Sequence, residues 1–191
     1  MNRIALRCLT NWKNYFPIFV IRAPNPPSPG GSGRLHTGSK SGIFLQKTIT
    51  NAMYISTIDI QVSYADTDMM GIIYHANYLK WFELGRTRLI EEVGYSYVEM
   101  EKSGFCSPVL RVEITYRKPI RYGDKVQVKT WIEENHGLKT TYGYQVINGK
   151  GEICAVGTTL HIVVKKVDFK PVQFMKNFPG WFQKYEEIKK K

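Results

Sequence analysis

Residues 61–93 read QVSYADTDMMGIIYHANYLKWFELGRTRLIEEV, and three patterns succeed one another along them. The first four residues close an alternating stretch. A loop follows with two carboxylates, Asp66 and Asp68, and one glycine, Gly71. From about His75 the apolar residues change to helical spacing: Tyr78, Phe82, Gly85, Leu89 and Val93 fall on one face of a helix over Ala76–Val93. Leu79, Trp81, Leu84 and Ile90 lie off that face, so the helix is expected to be buried broadly, with Gly85 letting a sheet come close. A carboxylate a few residues before a helix N-terminus stands near unpaired backbone N–H groups. It combines a base or nucleophile with an anion site, the elements of an active site.

Working outward, Ile58, Ile60, Val62 and Tyr64 alternate with Asp59, Gln61 and Ser63, which predicts a strand over Tyr54–Tyr64 with one buried face. Beyond the helix, Gly94 is placed to end it and Tyr95–Lys102 reads as a short second helix. Val109–Arg117 alternates without error up to Pro119, and Tyr122-Gly-Asp124 signals a turn. Lys125–Ile132 alternates again, Asn135-His-Gly137 turns the chain, and Thr140–Ile147 runs into the hairpin signal Asn148-Gly149. Ile153–Val164 returns as the longest strand. Strand, loop, long helix and a four-stranded meander make an α+β domain with a five-stranded antiparallel sheet around one helix, over residues 53–170. Phe174, Phe178, Trp181 and Phe182 predict a tail, 171–191, whose short helix covers the domain or a neighbour.

The chain has 191 residues, 43% apolar, enough for one ordinary domain with an appendage. Residues 1–52 hold seven Lys or Arg and no acid, leaving +4 of the net +11 on the rest. That distribution, without a groove-reading motif or interleaved basic and aromatic residues, argues against a nucleic-acid partner. It suits a phosphate-bearing substrate. The extension contains the cluster 24–33, PNPPSPGGSG, and is read as flexible and dispensable. Its composition resembles an organelle transit peptide, and the other reading is that Met53 is the natural start. The apolar run Tyr15–Ile21 is too short to span a bilayer, so no membrane partner is expected. Cys8, Cys106 and Cys154 are scattered and odd in number, with no metal or dithiol spacing, which points to reduced thiols. No metal or other cofactor is expected: no Gly-rich phosphate loop and no Gly-x-Ser-x-Gly elbow is present.

The run Asp68-Met-Met-Gly71-Ile-Ile-Tyr74-His75-Ala-Asn77-Tyr78 resembles the Asp-x-x-Gly-(Ile/Val)-(Ile/Val)-Tyr-x-x-x-Tyr signature of hotdog-fold acyl-CoA thioesterases of the 4-hydroxybenzoyl-CoA thioesterase-like group. The likeness extends over roughly residues 54–170, through Arg86, Ser107-Pro108 and the run 117–124, RKPIRYGD. It implies a hotdog fold, a cytoplasmic thioester hydrolase acting on acyl-CoA, or one of an organelle matrix if 1–52 is a transit peptide. It also implies a homodimer or tetramer with active sites between subunits. It makes Asp68 the nucleophile or general base, the His75 N–H the oxyanion donor with Gly71 in the same loop, Tyr74, Asn77 and Tyr78 residues shaping the acyl pocket, and Lys139 and Thr140 ligands of the coenzyme A phosphates, with Arg117 and Lys118 behind them.

Each reading has a plainer competitor. Asp68 is also a loop carboxylate able to cap the helix. For Tyr74, Asn77 and Tyr78 core packing is the simpler account, and Asp66 is read as solvated or structural. His161 and His136 show no partner in the sequence, and Glu83 and Arg86, three apart, are expected to pair or to cap the sheet. Other functions on the same fold are a non-catalytic acyl-CoA-binding module and a dehydratase or hydratase. An intact Asp68 argues against the first, and the seven-residue gap to His75 against the second.

Overall fold

The computed structural model describes residues 53–191. The expectations for residues 1–52 lie outside the described residues. β1 (Ser56–Ile60) is shorter than the alternation predicted, because Ser63 and Asp66 cap each other and turn Tyr64–Asp66 into a single 3₁₀ turn. The Ser63 hydroxyl accepts from the Ala65 N–H at 3.3 Å, and Asp66 Oδ2 accepts from the Ser63 N–H at 3.1 Å. The loop leads into α1 (Asn77–Glu92), α2 (Tyr97–Lys102) and the two-residue β2 (Phe105–Cys106). Then come β3 (Val109–Tyr116), β4 (Val126–His136), β5 (Lys139–Asn148), β6 (Ile153–Ile162) and β7 (Val164–Lys165), with α3 (Phe174–Asn177) and α4 (Pro179–Ile188) last.

The predicted five-stranded antiparallel sheet is present, in the order β1-β4-β5-β6-β3. The expected four-stranded meander is corrected: β4, β5 and β6 form it, while β3 pairs with β6 at the far edge. The segment between β3 and β4 contains the expected turn, with the Asp124 N–H donating to the Arg121 carbonyl at 3.1 Å, but it joins strands that are not neighbours in the sheet. The Arg117 and Lys118 N–H groups both donate to the Cys154 carbonyl, at 2.7 and 3.1 Å, and Ile120 is buried beneath the crossing. β4 also runs past Ile132, because a bulge between Ile132 and Glu134 turns Asn135 inward to accept the buried Thr140 hydroxyl at 2.9 Å.

One face of α1 packs on the sheet through Tyr78, Phe82, Leu89 and Ile90. A Cβ on Gly85 would stand 2.4 Å from the Thr130 hydroxyl, so the glycine does allow the close approach. The expectation of broad burial holds for Trp81 and Ile90 but not for Leu79 and Leu84, which are exposed because α1 lies on the sheet rather than inside a closed wrap. The tail is part of the same core. Phe174, Trp181, Tyr185 and Ile188 are buried, the Trp181 ring stacks on Tyr95 at 4.9 Å, and the Lys190 N–H donates to the Ile132 carbonyl at 2.8 Å. Among the described residues no helix is long and apolar enough to cross a membrane.

Candidate active site

The loop before α1 is held from three sides. Within it, the Asp68 N–H donates to the Ile72 carbonyl and the Gly71 N–H to the Asp68 carbonyl, both at 2.9 Å, with Gly71 at φ 68°, the left-handed region glycine enters freely. From the β3–β4 crossing, the Ile120 carbonyl accepts the Ile73 N–H at 2.9 Å, and Arg121 Nη1 donates to the Gly71 carbonyl at 3.0 Å. From α1, Asn77 Nδ2 donates to the Asp66 carbonyl at 2.9 Å, the same oxygen that accepts the Tyr74 N–H at 2.8 Å. Asp66 is therefore structural, as its carboxylate and carbonyl are both spent on folding the loop.

Asp68 is half-buried, and its carboxylate accepts one bond, from the Met70 N–H at 2.8 Å. It does not cap α1: the N-cap residue is Ala76, with no side-chain cap and no acid in the first turn. The capping alternative for Asp68 is thus removed by geometry. The N–H of His75, just before the helix, enters no hydrogen bond among the described residues, and its carbonyl is fixed by the Tyr116 hydroxyl at 2.9 Å. A lightly engaged carboxylate and, seven residues on, an N–H outside the hydrogen-bond pattern are the two groups an acyl-transfer site needs for its nucleophile or base and its oxyanion. The His75 imidazole is exposed and lies against the Tyr74 ring at 4.3 Å.

Of the residues expected to shape the acyl pocket, Tyr74 is exposed next to the loop. Asn77 and Tyr78 are core. Asn77 is committed to Asp66, and the Tyr78 ring packs on Trp81 and Tyr116, with burial pushing its hydroxyl up to about 12. The two phosphate candidates do not join the loop. Val126 and Asn148 mark the Asp68 end of the β4–β5 hairpin, while Lys139 pairs with His136 at the opposite end. Thr140, a proposed phosphate ligand, is buried and its hydroxyl is taken by Asn135. Lys118 pairs with Glu152. Among the described residues no cluster of three or more His, Cys, Asp or Glu could hold a metal ion.

Sequence reading missed a second polar centre. Glu83 and Arg86 do not pair: Glu83 is exposed, and Arg86 turns inward with no carboxylate in ion-pair range among the described residues. It lines a cavity with Tyr97, Ser107, Thr140, Tyr142 and His161. His161 is fully buried, and its partners fix its tautomer. Nδ1 faces the Ser107 carbonyl at 3.4 Å, which only accepts, so Nδ1 carries the proton. Nε2 then accepts the Thr159 hydroxyl at 2.9 Å, and Thr159 in turn accepts the Tyr144 hydroxyl at 2.8 Å. Burial first, and the Arg86 charge second, push the His161 pKa down to about 4, so the ring is neutral at pH 7. The clue in the sequence was a histidine at an inward position of a strand, but the groups that set its state, Ser107, Thr159 and the Arg86 charge, are gathered around it only by folding.

Residues 62–182 match the Thioesterase-like superfamily. The chain belongs to this family. A Bacillus subtilis relative named "Putative acyl-CoA thioesterase YneP" is 51% identical over 138 residues, covering 72% of this chain and all of its own. The 1,4-dihydroxy-2-naphthoyl-CoA hydrolase of Thermosynechococcus vestitus is 24% identical over 127 residues, 66% of this chain and 87% of that one. Among solved structures, a DHNA-CoA thioesterase from Staphylococcus aureus superposes with a TM-score of 0.69 at 42% identity, covering 70% of this chain and 90% of its own. For this thioesterase-family chain the hotdog expectation holds, with the helix laid on the five-stranded sheet.

Proposed function

We propose that this chain hydrolyses acyl-CoA thioesters, consuming water and releasing a carboxylic acid and the free thiol of coenzyme A. The observation that carries the reading is the carboxylate of Asp68, held in the loop by one bond, seven residues before the His75 N–H, which enters no hydrogen bond among the described residues. Asp68 attacks the thioester carbonyl or draws a proton from the attacking water, and the His75 N–H takes the charge that develops on the carbonyl oxygen. The named relatives put hydroxylated naphthoyl-CoA first among substrates to try. Thiol release from a panel of aliphatic and aromatic acyl-CoAs tests the reading. No release from any of them sinks it.

The loop anchor gives a second expectation. Arg121→Ala removes the bond to the Gly71 carbonyl and lets the loop shift, so kcat should drop about tenfold, as small misplacements of catalytic groups do. The melting temperature should barely move, because Arg121 is exposed. Parent-level kcat would remove Arg121 from the site.

The chain acts as a symmetric dimer, or a tetramer built from it. β3 is an edge strand with Val109, Leu110, Val112 and Tyr116 all exposed, an apolar edge that natural proteins cover. Antiparallel pairing of β3 with its own copy closes that edge isologously. It sets the start of one β3 beside the end of the other, which carries the Lys139 end of the copy toward the Asp68 end of the first chain. That arrangement reconciles Lys139 with a role at Asp68. Light scattering should give a dimer or larger species, and an active monomer would end the idea.

A further inference from the structure

Residues 165–170, KKVDFK, turn the chain at the end of β7, and they carry two large apolar side chains that the fold does not use. Val167 is 88% exposed and Phe169 66%. The turn that holds them out is well tied. The Lys165 N–H donates to the Lys170 carbonyl at 3.1 Å, the Phe169 N–H to the Lys165 carbonyl at 2.9 Å, and the Lys166 N–H to the Gly104 carbonyl at 2.9 Å. Pro171 bridges Val164 at its base. The tip is a fixed projection, closed at its foot and fastened to the segment after α2.

The backbone adds a second observation. Phe169, at φ 54°, is the only non-glycine residue with a positive φ among the described residues. In that left-handed region a Cβ crowds the backbone, which is why such turns favour glycine. An aromatic residue there costs folding stability, and this one recovers none by burial. A single exposed apolar residue needs no explanation. A strained one, with its ring held in solvent two residues from a second, points to a use outside the fold.

Charge identifies the partner. Lys165, Lys166 and Lys170 flank the two apolar side chains, and all three are exposed. The one acid of the turn, Asp168, is taken by Lys170 at 3.1 Å, and Lys166 lies 3.7 Å from Glu101. Lys165 has no carboxylate in ion-pair range among the described residues. An aromatic ring and a branched side chain on a projecting tip, ringed by cations, match a surface that is apolar within and negative at its face. An anionic lipid bilayer is such a surface: the ring enters the boundary between headgroups and acyl chains while the ammonium groups stay with the phosphates. A protein partner would need a concave acidic socket for the same tip, whereas a bilayer yields to it. The short apolar run at 15–21 argues only against spanning a membrane; resting on one needs no long apolar helix.

We propose that residues 165–170 form a docking tip for anionic lipid surfaces, with Val167 and Phe169 entering the interface and Lys165, Lys166 and Lys170 facing the headgroup phosphates. The contact is peripheral, and it does not depend on the reaction performed at the Asp68 loop.

Flotation of the full chain with vesicles tests this, using phosphatidylcholine alone and an equal mixture of phosphatidylcholine and phosphatidylglycerol. The parent should float with the mixed vesicles and not with the neutral ones. Phe169→Gly is the decisive variant, because it keeps every charge, those of residues 1–52 included, and puts at φ 54° a residue that suits it. Its partition onto mixed vesicles should fall about fivefold, as expected for one ring lost from the interface, while its melting temperature stays level or rises. Lys165→Gln combined with Lys166→Gln should lower partition about tenfold and make what remains less sensitive to salt. Parent-level partition of Phe169→Gly overturns the proposal, since charge alone would then explain the binding. Equal flotation of the parent with both kinds of vesicle, or with neither, overturns it as well. If Phe169→Gly instead changes the oligomeric state in light scattering and leaves partition untouched, the tip is a contact between copies and the lipid assignment is wrong.

Discussion

Asp68→Asn should lose at least about 10²-fold in kcat while its KM and melting temperature stay near the parent values. The amide oxygen can still accept the Met70 N–H, and the loop is otherwise held through Gly71, Ile73 and Asn77, none of which needs the Asp68 charge. What disappears is the negative charge and the nucleophile. Had the side chain capped α1, the same change would have cost about 1 kcal/mol of stability with turnover spared, but the helix start carries no such bond. Turnover and thermal unfolding on this single variant separate the two roles. A folded Asp68→Asn protein working near the parental rate would falsify the mechanism and leave Asp66 and His75 to be tested.

The second large effect is on stability. In Gly157→Ala the new Cβ would stand 2.6 Å from the Glu113 carbonyl oxygen of β3 and 2.7 Å from the Phe82 ring. Neither can yield easily. The first is backbone in a paired strand, and the second is a buried ring stacked on Tyr144 at 4.2 Å. Separating β3 from β6, or α1 from the sheet, should cost about 3 kcal/mol and lower the melting temperature by roughly 10 °C. Gly137→Ala is the control, since nothing lies within 4 Å of its Cβ. Equal melting of the two variants would show that the β3–β6 contact gives way without strain.

The two glycines also show how far the sequence could be read. Gly85 was recognisable because it interrupts an apolar stripe at helical spacing, and a gap in such a stripe implies a neighbour coming close. Gly157 sits in a strand whose alternation it does not disturb, and its need appears only when Phe82 and Glu113, 75 and 44 residues away in sequence, are brought against it. The site divides the same way. Asp68, Gly71 and His75 lie within eight residues, so one loop and one helix start suffice to define them. Arg86 was misassigned to Glu83 because spacing of three on a helix shows which side chains can meet, not which face turns inward.

By itself the sequence determined the element types, the α+β class, the single long helix and the loop that carries the carboxylate. Each of these follows from periodicity or turn chemistry over a few residues, which the chain encodes locally. The tertiary structure decided that β3 leaves the meander for the edge beside β6, that Thr140 is spent on Asn135, and that Arg86 and His161 share one cavity. Those outcomes depend on pairings between distant segments. Alternation reports that a face is buried but is silent about the partner, and a half-buried cation or a buried imidazole acquires its chemistry only from the groups that folding sets around it.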